Sequence, residues 1–238
     1  MKISILFLII LLCIPLCITL PCKADIVWSD DFDDGNYDGW TVINGTFTVE
    51  DGALKAGPGN YNTITIPSYN SYGTWSFDLL PTSLVDIIFV GTYPMTFGGS
   101  YVRIQQGFRL ISYGNGFLVL ERYFNGTRKY LPSFAVSASA WQHIDITLSL
   151  DKRVCVYDNE TLVVDITDNS EIPASEYFLF WSSTGAIIDN IVVSDTVDIQ
   201  PPAAPFYTQP WFIPSMAAVA LVTGITIVLL VARAMRRK

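Results

Sequence analysis

The chain has 238 residues, half of them hydrophobic, and a formal net charge of −8. Residues 25–211 hold all 22 acidic residues but only eight of the 14 Lys and Arg, so this segment carries a formal charge of −14. Phosphate recognition needs a basic surface, so this balance argues against a nucleic-acid partner. About 170 residues before a Pro-rich stretch suffice for one good hydrophobic core and not for two.

The first 24 residues are predicted to be a secretory signal peptide. Lys2 precedes an uncharged apolar run over residues 3–20, and Ala24 with Cys22 two positions before it forms a small-residue cleavage site. We therefore expect cleavage before Asp25. An uncleaved signal anchor is one alternative, and lipidation of the cysteine is another, which the proline before it disfavours. With or without cleavage, the segment that follows is predicted to lie outside the membrane.

A dense acidic run opens the predicted mature chain around Gly35. Its members are Asp30, Asp31, Asp33, Asp34, Asn36 and Asp38. Ca²⁺ takes several oxygen ligands, and short carboxylates on a glycine-bent loop supply them. A structural Ca²⁺ site that uses Asp31, Asp33 and Asp34 is one interpretation. The alternative is a solvated turn in which aspartates accept hydrogen bonds from their own backbone.

The residues up to position 195 predict an all-β domain. Short runs rich in Val, Ile, Thr, Tyr and Phe alternate with Gly, Asn, Asp and Pro, and no long amphipathic helix interrupts them. We therefore predict a two-sheet antiparallel sandwich over residues 25–195.

Residues 107–124 are predicted to form a β-hairpin around Gly114-Asn115-Gly116. A three-residue loop sets Arg109 opposite Glu121, whereas a two-residue loop sets Arg109 opposite Arg122. Opposed like charges are destabilising, so we predict the first register. One face then points to the core: Phe108, Leu110, Leu118, Leu120 and Phe124. The other presents four candidate ligand-binding residues: Arg109, Tyr113, Glu121 and Tyr123.

These four residues combine the chemistry that sugars require. Tyrosine rings stack on the apolar faces of sugar rings, and Arg and Glu fix hydroxyl groups. A glycan-binding patch is therefore one interpretation of this face. The other is that the aromatic side chains only cover the sheet.

A further strand, after the hairpin, is predicted over residues 141–150. The alternation places Ile144, Ile146, Leu148 and Leu150 on one face, with His143 and Asp145 on the other. Turns then separate two further strands, at 154–157 and 162–166. Cys155 lies in this alternating pattern, so we expect a buried thiol.

Three Asn-x-Ser/Thr sequences are candidates for N-glycosylation, at Asn44, Asn125 and Asn159. Each lies at or near a predicted turn, where an oligosaccharide has room.

The C-terminal part of the chain is predicted to be a membrane anchor. Residues 196–211 are Pro-rich and predict an extended stalk. Residues 212–232 carry no charge and as a helix measure about 30 Å, the thickness of a bilayer's hydrocarbon core. The basic tail at 233–238 marks the cytoplasmic side, so we expect a single-pass protein of the cell membrane with its large domain extracellular.

Several stretches resemble concanavalin A-like, laminin-G-like jelly rolls, including 3-keto-disaccharide hydrolase-like domains and carbohydrate-binding modules. The resemblance covers about residues 28–194. It rests on Asp30-Asp31-Phe32-Asp33-Asp34-Gly35, Asp38-Gly39-Trp40, residues 45–54, Trp141-Gln142-His143-Ile144, residues 154–157 with 162–165, and residues 188–193. It implies a two-sheet antiparallel jelly roll whose first and last strands are neighbours, with ligands on the concave sheet or rim loops. It also implies that Asp189, on the last strand, joins the Ca²⁺ site.

Sequence motifs for catalysis are missing from the predicted extracellular part. It contains one histidine, no Gly-x-Ser-x-Gly, no zinc-ligand spacing and no pair of strand carboxylates in the β-glucanase pattern. We expect a non-catalytic surface module that binds glycans or cell-envelope proteins and contacts the bilayer through 212–232. The alternatives are a glycoside hydrolase-like surface enzyme that uses Glu121, and a purely structural envelope protein.

Overall fold

The computed structural model describes residues 25–59, 61–92, 96–98, 101–113 and 116–195. In these ranges every regular element is a β-strand, and none contains a helix long and apolar enough to span a membrane. The predicted signal peptide (1–24), stalk (196–211), membrane helix (212–232) and tail (233–238) lie outside the described residues.

The first sheet contains eight strands, all antiparallel. In spatial order they are β15 (Thr161–Thr167), β14 (Arg153–Asp158), β13 (Gln142–Leu148), β6 (Gly73–Leu80), β17 (Ile187–Ser194), β4 (Ala53–Ala56) and β3 (Phe47–Glu50), with β1 (Ile26–Asp30) also paired to β17. The first strand therefore pairs with the last, as the resemblance implied.

The second sheet contains seven antiparallel strands. Their order is β12 (Thr127–Ala135), β11 (Phe117–Phe124), β10 (Gly107–Ser112), β7 (Val85–Gly91), β16 (Tyr177–Ser182), β5 (Asn62–Pro67) and β2 (Thr41–Asn44). A small hairpin pairs β8 (Thr96–Gly98) with β9 (Tyr101–Arg103). The predicted two-sheet antiparallel sandwich is confirmed.

The main core lies between the two sheets. It contains large aromatic side chains from both: Trp75, Phe77, Phe89, Phe108, Phe178 and Phe180, all fully buried. Cys155 is buried too, as expected from its alternating strand. Apolar burial of this extent is the main stabilising contribution to such a fold.

The hairpin register is confirmed, because Arg109 lies directly opposite Glu121. Four of the five predicted core residues are buried, but Phe124 is 44% exposed, so that prediction was wrong. The reason is Arg122, which occupies the inward position one pleat earlier. Its guanidinium lies 5.1 Å from the Phe108 ring centre and 3.2 Å from Asp168, and it closes this end of the core.

The strand predicted over residues 141–150 is present with the predicted inward and outward faces, but it ends at Leu148. Ile144, Ile146 and Leu148 are buried, whereas Leu150 is 76% exposed. The Lys152 amide donates to the Ser149 carbonyl, so a turn begins directly after Leu148 and the alternation stops there.

Candidate functional site

The predicted ligand-binding residues lie on the outer face of the seven-stranded sheet, which points away from the core. The expectation of an exposed patch is wrong for three of the four: Arg109, Glu121 and Tyr123 are 2%, 0% and 7% exposed. Tyr113 is 41% exposed. Ligand binding by these residues stays a prediction.

A second, smaller apolar cluster lies on the same face and includes Tyr123, whose ring lies against Arg109. It consists of Ile88, Ile104, Tyr123, Tyr177, Leu179 and Trp181, with Leu84 packed against it. Tyr177, Leu179 and Trp181 come from β16, and Ile104 lies just before β10. This outer face is therefore largely closed to solvent around Arg109.

Arg109 forms the centre of a buried ionic network. It donates to Asp86 Oδ2 at 2.8 Å, and its Nε and Nη2 donate to Glu121 Oε2 at 2.8 and 2.7 Å. Desolvation raises the pKa of Asp86 to about 6, although the charge of Arg109 opposes this shift. The other Asp86 oxygen, Oδ1, is buried and accepts no hydrogen bond from the described residues.

Beside the network, three side chains reach the surface together: Tyr113, Arg128 and Tyr130, named here the tyrosine–arginine patch. The Tyr113 hydroxyl donates to Glu121 Oε1 at 2.7 Å, and Arg128 Nη1 donates to that hydroxyl at 3.5 Å. The Arg128 guanidinium carbon lies 4.4 Å from the Tyr130 ring centre. The Arg128 side chain is 41% exposed and Tyr130 is 58% exposed.

Glu121 holds this patch in place from below. Desolvation and the hydrogen bond to Glu121 raise the pKa of Tyr113, so its hydroxyl stays protonated and remains a donor. Arg128 lies 3.9 Å from Glu121 Oε1, which orients the guanidinium along the Tyr130 ring. The patch thus presents two aromatic rings and, between them, the N–H donors of Arg128 in a restricted geometry.

The acidic run near the N-terminus forms a chain of aspartate turns. Asp30, Asp31 and Asp34 each accept a hydrogen bond from the amide two residues later. Among the described residues no three His, Cys, Asp or Glu side chains form a group that could hold a metal ion. Calcium binding by Asp31, Asp33, Asp34 and Asp189 stays a prediction.

His143 bridges side chains on the outer face of the other sheet. Its Nδ1 lies 2.6 Å from Asp78 Oδ1 and its Nε2 lies 3.4 Å from Ser76 Oγ, the connectivity of a serine hydrolase. However, Asp145 also lies 3.5 Å from Nε2. Desolvation lowers the pKa of His143, but Asp78 and Asp145 together raise it above its usual value. Two carboxylates thus favour the imidazolium and a structural cross-strand bridge.

The three predicted glycosylation residues are all exposed. The side-chain amide of Asn44 donates to the Tyr61 carbonyl at 2.7 Å, and the side-chain amide of Asn159 donates to Asp158 Oδ1 at 2.9 Å. Asn125 lies in the β11–β12 turn with a φ of 49°. Glycosylation at each stays a prediction.

Comparison with known proteins shows the fold. No protein-family model matches the chain, and no curated protein matches it. The carbohydrate-binding module CBM66 from Bacillus subtilis is 16% identical with a TM-score of 0.51, covering 66% of this chain and 95% of that one. A lichenase from a mouse hindgut metagenome is 11% identical with a TM-score of 0.55, covering 71% and 99%. The chain is a jelly-roll sandwich.

A third similar structure is a toxin domain. The receptor-binding domain of botulinum neurotoxin type G is 14% identical with a TM-score of 0.52, and the match covers 72% of this chain but 48% of that one. At these identities the likeness concerns the fold alone.

Asp86, Arg128 and Tyr130 were not among the residues predicted from the sequence. The sequence does carry a signal for Arg128 and Tyr130, because they are two residues apart on a strand that follows the predicted hairpin after a short turn. That spacing places their side chains on the face of Glu121. Nothing local marks Asp86, because its strand is apolar on both sides and its partner is 23 residues away.

Proposed function

We propose that this protein is a non-catalytic cell-surface module that binds glycans through the tyrosine–arginine patch. The observation that carries the proposal is the stacking of Arg128 on Tyr130 beside Tyr113, above a buried Glu121. Aromatic faces with nearby fixed donors are the arrangement that binds sugar rings. Carbohydrate-binding modules and toxin receptor-binding domains of the same fold support a binding role.

A glycan array with the soluble domain, residues 25–200, tests this proposal. We expect at least one glycan class to bind, and Tyr130→Ala to weaken that binding about tenfold, as the loss of one stacking contact does. Trp141→Ala is the control, because Trp141 is an exposed aromatic residue directly before β13 of the other sheet. An array without binding contradicts the proposal.

A glycoside hydrolase is the second candidate, favoured by two carboxylates on one sheet face, Asp86 and Glu121. The raised pKa of Asp86 is the property of a general acid, and a lichenase shares the fold. Both carboxylates, however, are bound to Arg109 and buried. Turnover of a disaccharide panel that is lost in Glu121→Gln supports this alternative, and no turnover rejects it.

Membrane anchoring through residues 212–232 completes the proposed function. It accords with the basic tail and the uncharged span of the sequence. A spacer role without any ligand predicts instead a lattice or homo-oligomer of the soluble domain, which sedimentation measures directly.

A further inference from the structure

A groove lies on the outer face of the seven-stranded sheet, at the edge opposite the tyrosine–arginine patch. Its volume is about 360 Å³, and its lining residues are Thr41, Ile43, Thr65, Pro67, Tyr69 and Glu176. Tyr69 is 77% exposed and Ile43 is 41% exposed. The groove is thus open and partly apolar.

The groove is bordered by an uncovered edge strand. In the described part of the chain, β2 pairs on one side only, with β5, and all four of its residues are exposed. Two of these are apolar, Val42 and Ile43. Native proteins cover or charge such edges, because an exposed apolar edge recruits other chains.

The chain leaves the sandwich at the end where this groove lies. Ser194, the last residue of β17, pairs with Thr74 near the start of β6. The loop at 68–72 runs from the end of β5 to that same strand start and carries Tyr69. The Asp195 amide donates to the Asp25 carbonyl at 3.2 Å, so both ends of the domain emerge here.

The segment that follows has the composition of a groove ligand. Residues 201–207 read Pro-Pro-Ala-Ala-Pro-Phe-Tyr. Such sequences favour the polyproline II conformation, which aromatic-lined grooves bind at a low cost in conformational entropy. The five residues at 196–200, which connect Asp195 to this segment, span at most about 17 Å when extended.

We propose that the Pro-rich segment 201–207 of this same chain docks in the groove beside β2. The tether raises the local concentration of the segment to about the millimolar range, so modest affinity is sufficient. Docking covers Ile43 and the β2 edge. It also gives the domain a preferred orientation relative to the stalk, which a free linker does not.

Cross-linking of the full chain in detergent micelles tests the docking. Thr41→Cys with Ala203→Cys should form an intrachain disulfide under mild oxidation, at least tenfold faster than Thr184→Cys with Ala203→Cys. Thr184 is also exposed but lies at the far end of β16, beyond Ser182. Equal rates for the two pairs overturn the proposal. A disulfide that links two chains assigns the groove to a second copy and also overturns it.

A second measurement uses variants without added cysteines. Chymotrypsin cleaves after Phe206 and Tyr207, and docking protects these bonds. We expect Ile43→Asp to speed this cleavage about tenfold, the effect of a loss of about 1.4 kcal/mol in docking free energy. Leu162→Asp is the matched control, an exposed apolar residue on β15 at the edge of the other sheet. An unchanged cleavage rate in Ile43→Asp overturns the proposal.

Discussion

At the scale of single residues, the buried charge of Arg109 decides what the outer face can do. Its guanidinium contacts both Asp86 and Glu121, and through Glu121 it supports Tyr113. A charge in this position stabilises little by itself, but its removal leaves buried carboxylates without a counter-ion. Arg109 is therefore a supporting residue of the patch.

Substitution of Arg109 should destabilise the domain in a pH-dependent way. We expect Arg109→Met to lower the free energy of unfolding by about 3–5 kcal/mol at pH 7, as for other broken buried ion pairs. The pKa of Asp86 is raised to about 6, above that of the unfolded chain, so its ionised form destabilises the fold and protonation relieves this. The loss should therefore shrink as pH falls from 7 towards 5.

Urea unfolding of the soluble domain at both pH values measures this effect. Arg153→Met is the control, because Arg153 pairs with Asp165 at 2.7 Å on the exposed surface. That variant should change stability little at either pH. A pH-independent loss in Arg109→Met contradicts the interpretation.

At the scale of elements, close strand pairing depends on individual glycines. Gly73 begins β6 with a φ of 132°, and a Cβ there would meet the carbonyl oxygen and carbon of Ser194. This contact is between backbones, so neither strand can yield by a change of side-chain rotamer. The pairing of β6 with β17, which joins the last strand to the centre of its sheet, requires glycine at this position.

Replacement of Gly73 by alanine should therefore weaken this sheet. We expect Gly73→Ala to cost about 1–3 kcal/mol more than Gly35→Ala, the cost of overpacking. Gly35 is the matched control: its φ is also positive, at 79°, but a Cβ there meets nothing within 4 Å. Thermal melts of the two variants measure the difference, and equal melting temperatures contradict it.

The N-terminal loop and β17 share an unfavourable concentration of negative charge. Desolvation, together with the charges of Asp78, Asp33 and Asp31, raises the pKa of Asp189. Ionised Asp189 thus destabilises the fold at neutral pH, and a cation would relieve the repulsion. This repulsion is the physical reason to expect Ca²⁺ to bind between the N-terminal loop and β17.

Thermal melts with Ca²⁺ and with chelator test that prediction. Ca²⁺ should raise the melting temperature, and Asp31→Asn with Asp33→Asn should abolish the rise. Asparagine keeps the side-chain oxygen that Asp31 uses to accept its turn hydrogen bond, so the loop geometry is retained. Equal melting temperatures with Ca²⁺ and with chelator would contradict the predicted Ca²⁺ site and favour a solvated turn.

At the scale of the whole molecule, the distribution of Lys and Arg along the chain predicts its orientation in the membrane. No Lys or Arg occurs between Arg153 and Arg233, and four follow in the last six residues. Such asymmetry predicts that the C-terminal tail lies in the cytoplasm. In sealed vesicles of cytoplasm-inside orientation, external protease should degrade the domain at 25–195 and spare a C-terminal tag. Degradation of the tag in intact vesicles contradicts this orientation.

The all-β class, the phase of the strands and the hairpin register could be predicted from the amino-acid sequence. These follow from alternation and from one opposed charge pair, which are local properties of residues such as Ile144, Ile146, Arg109 and Glu121. The adjacency of the first and last strands followed from the resemblance to jelly-roll domains and not from any local pattern of residues.

Which residues of the sheet face reach solvent depends on tertiary packing and could not be predicted from the sequence. Arg109 and Glu121 are buried on a face where Asp86 pairs with Arg109 and where an apolar cluster includes Tyr177 and Trp181, from a strand more than fifty residues later in the chain. Period-two alternation distinguishes the two faces of a strand but cannot tell an open face from a covered one. Burial depends on contacts between residues that are distant in sequence. For this reason the exposed candidate ligand-binding residues include Arg128 and Tyr130, which were not predicted.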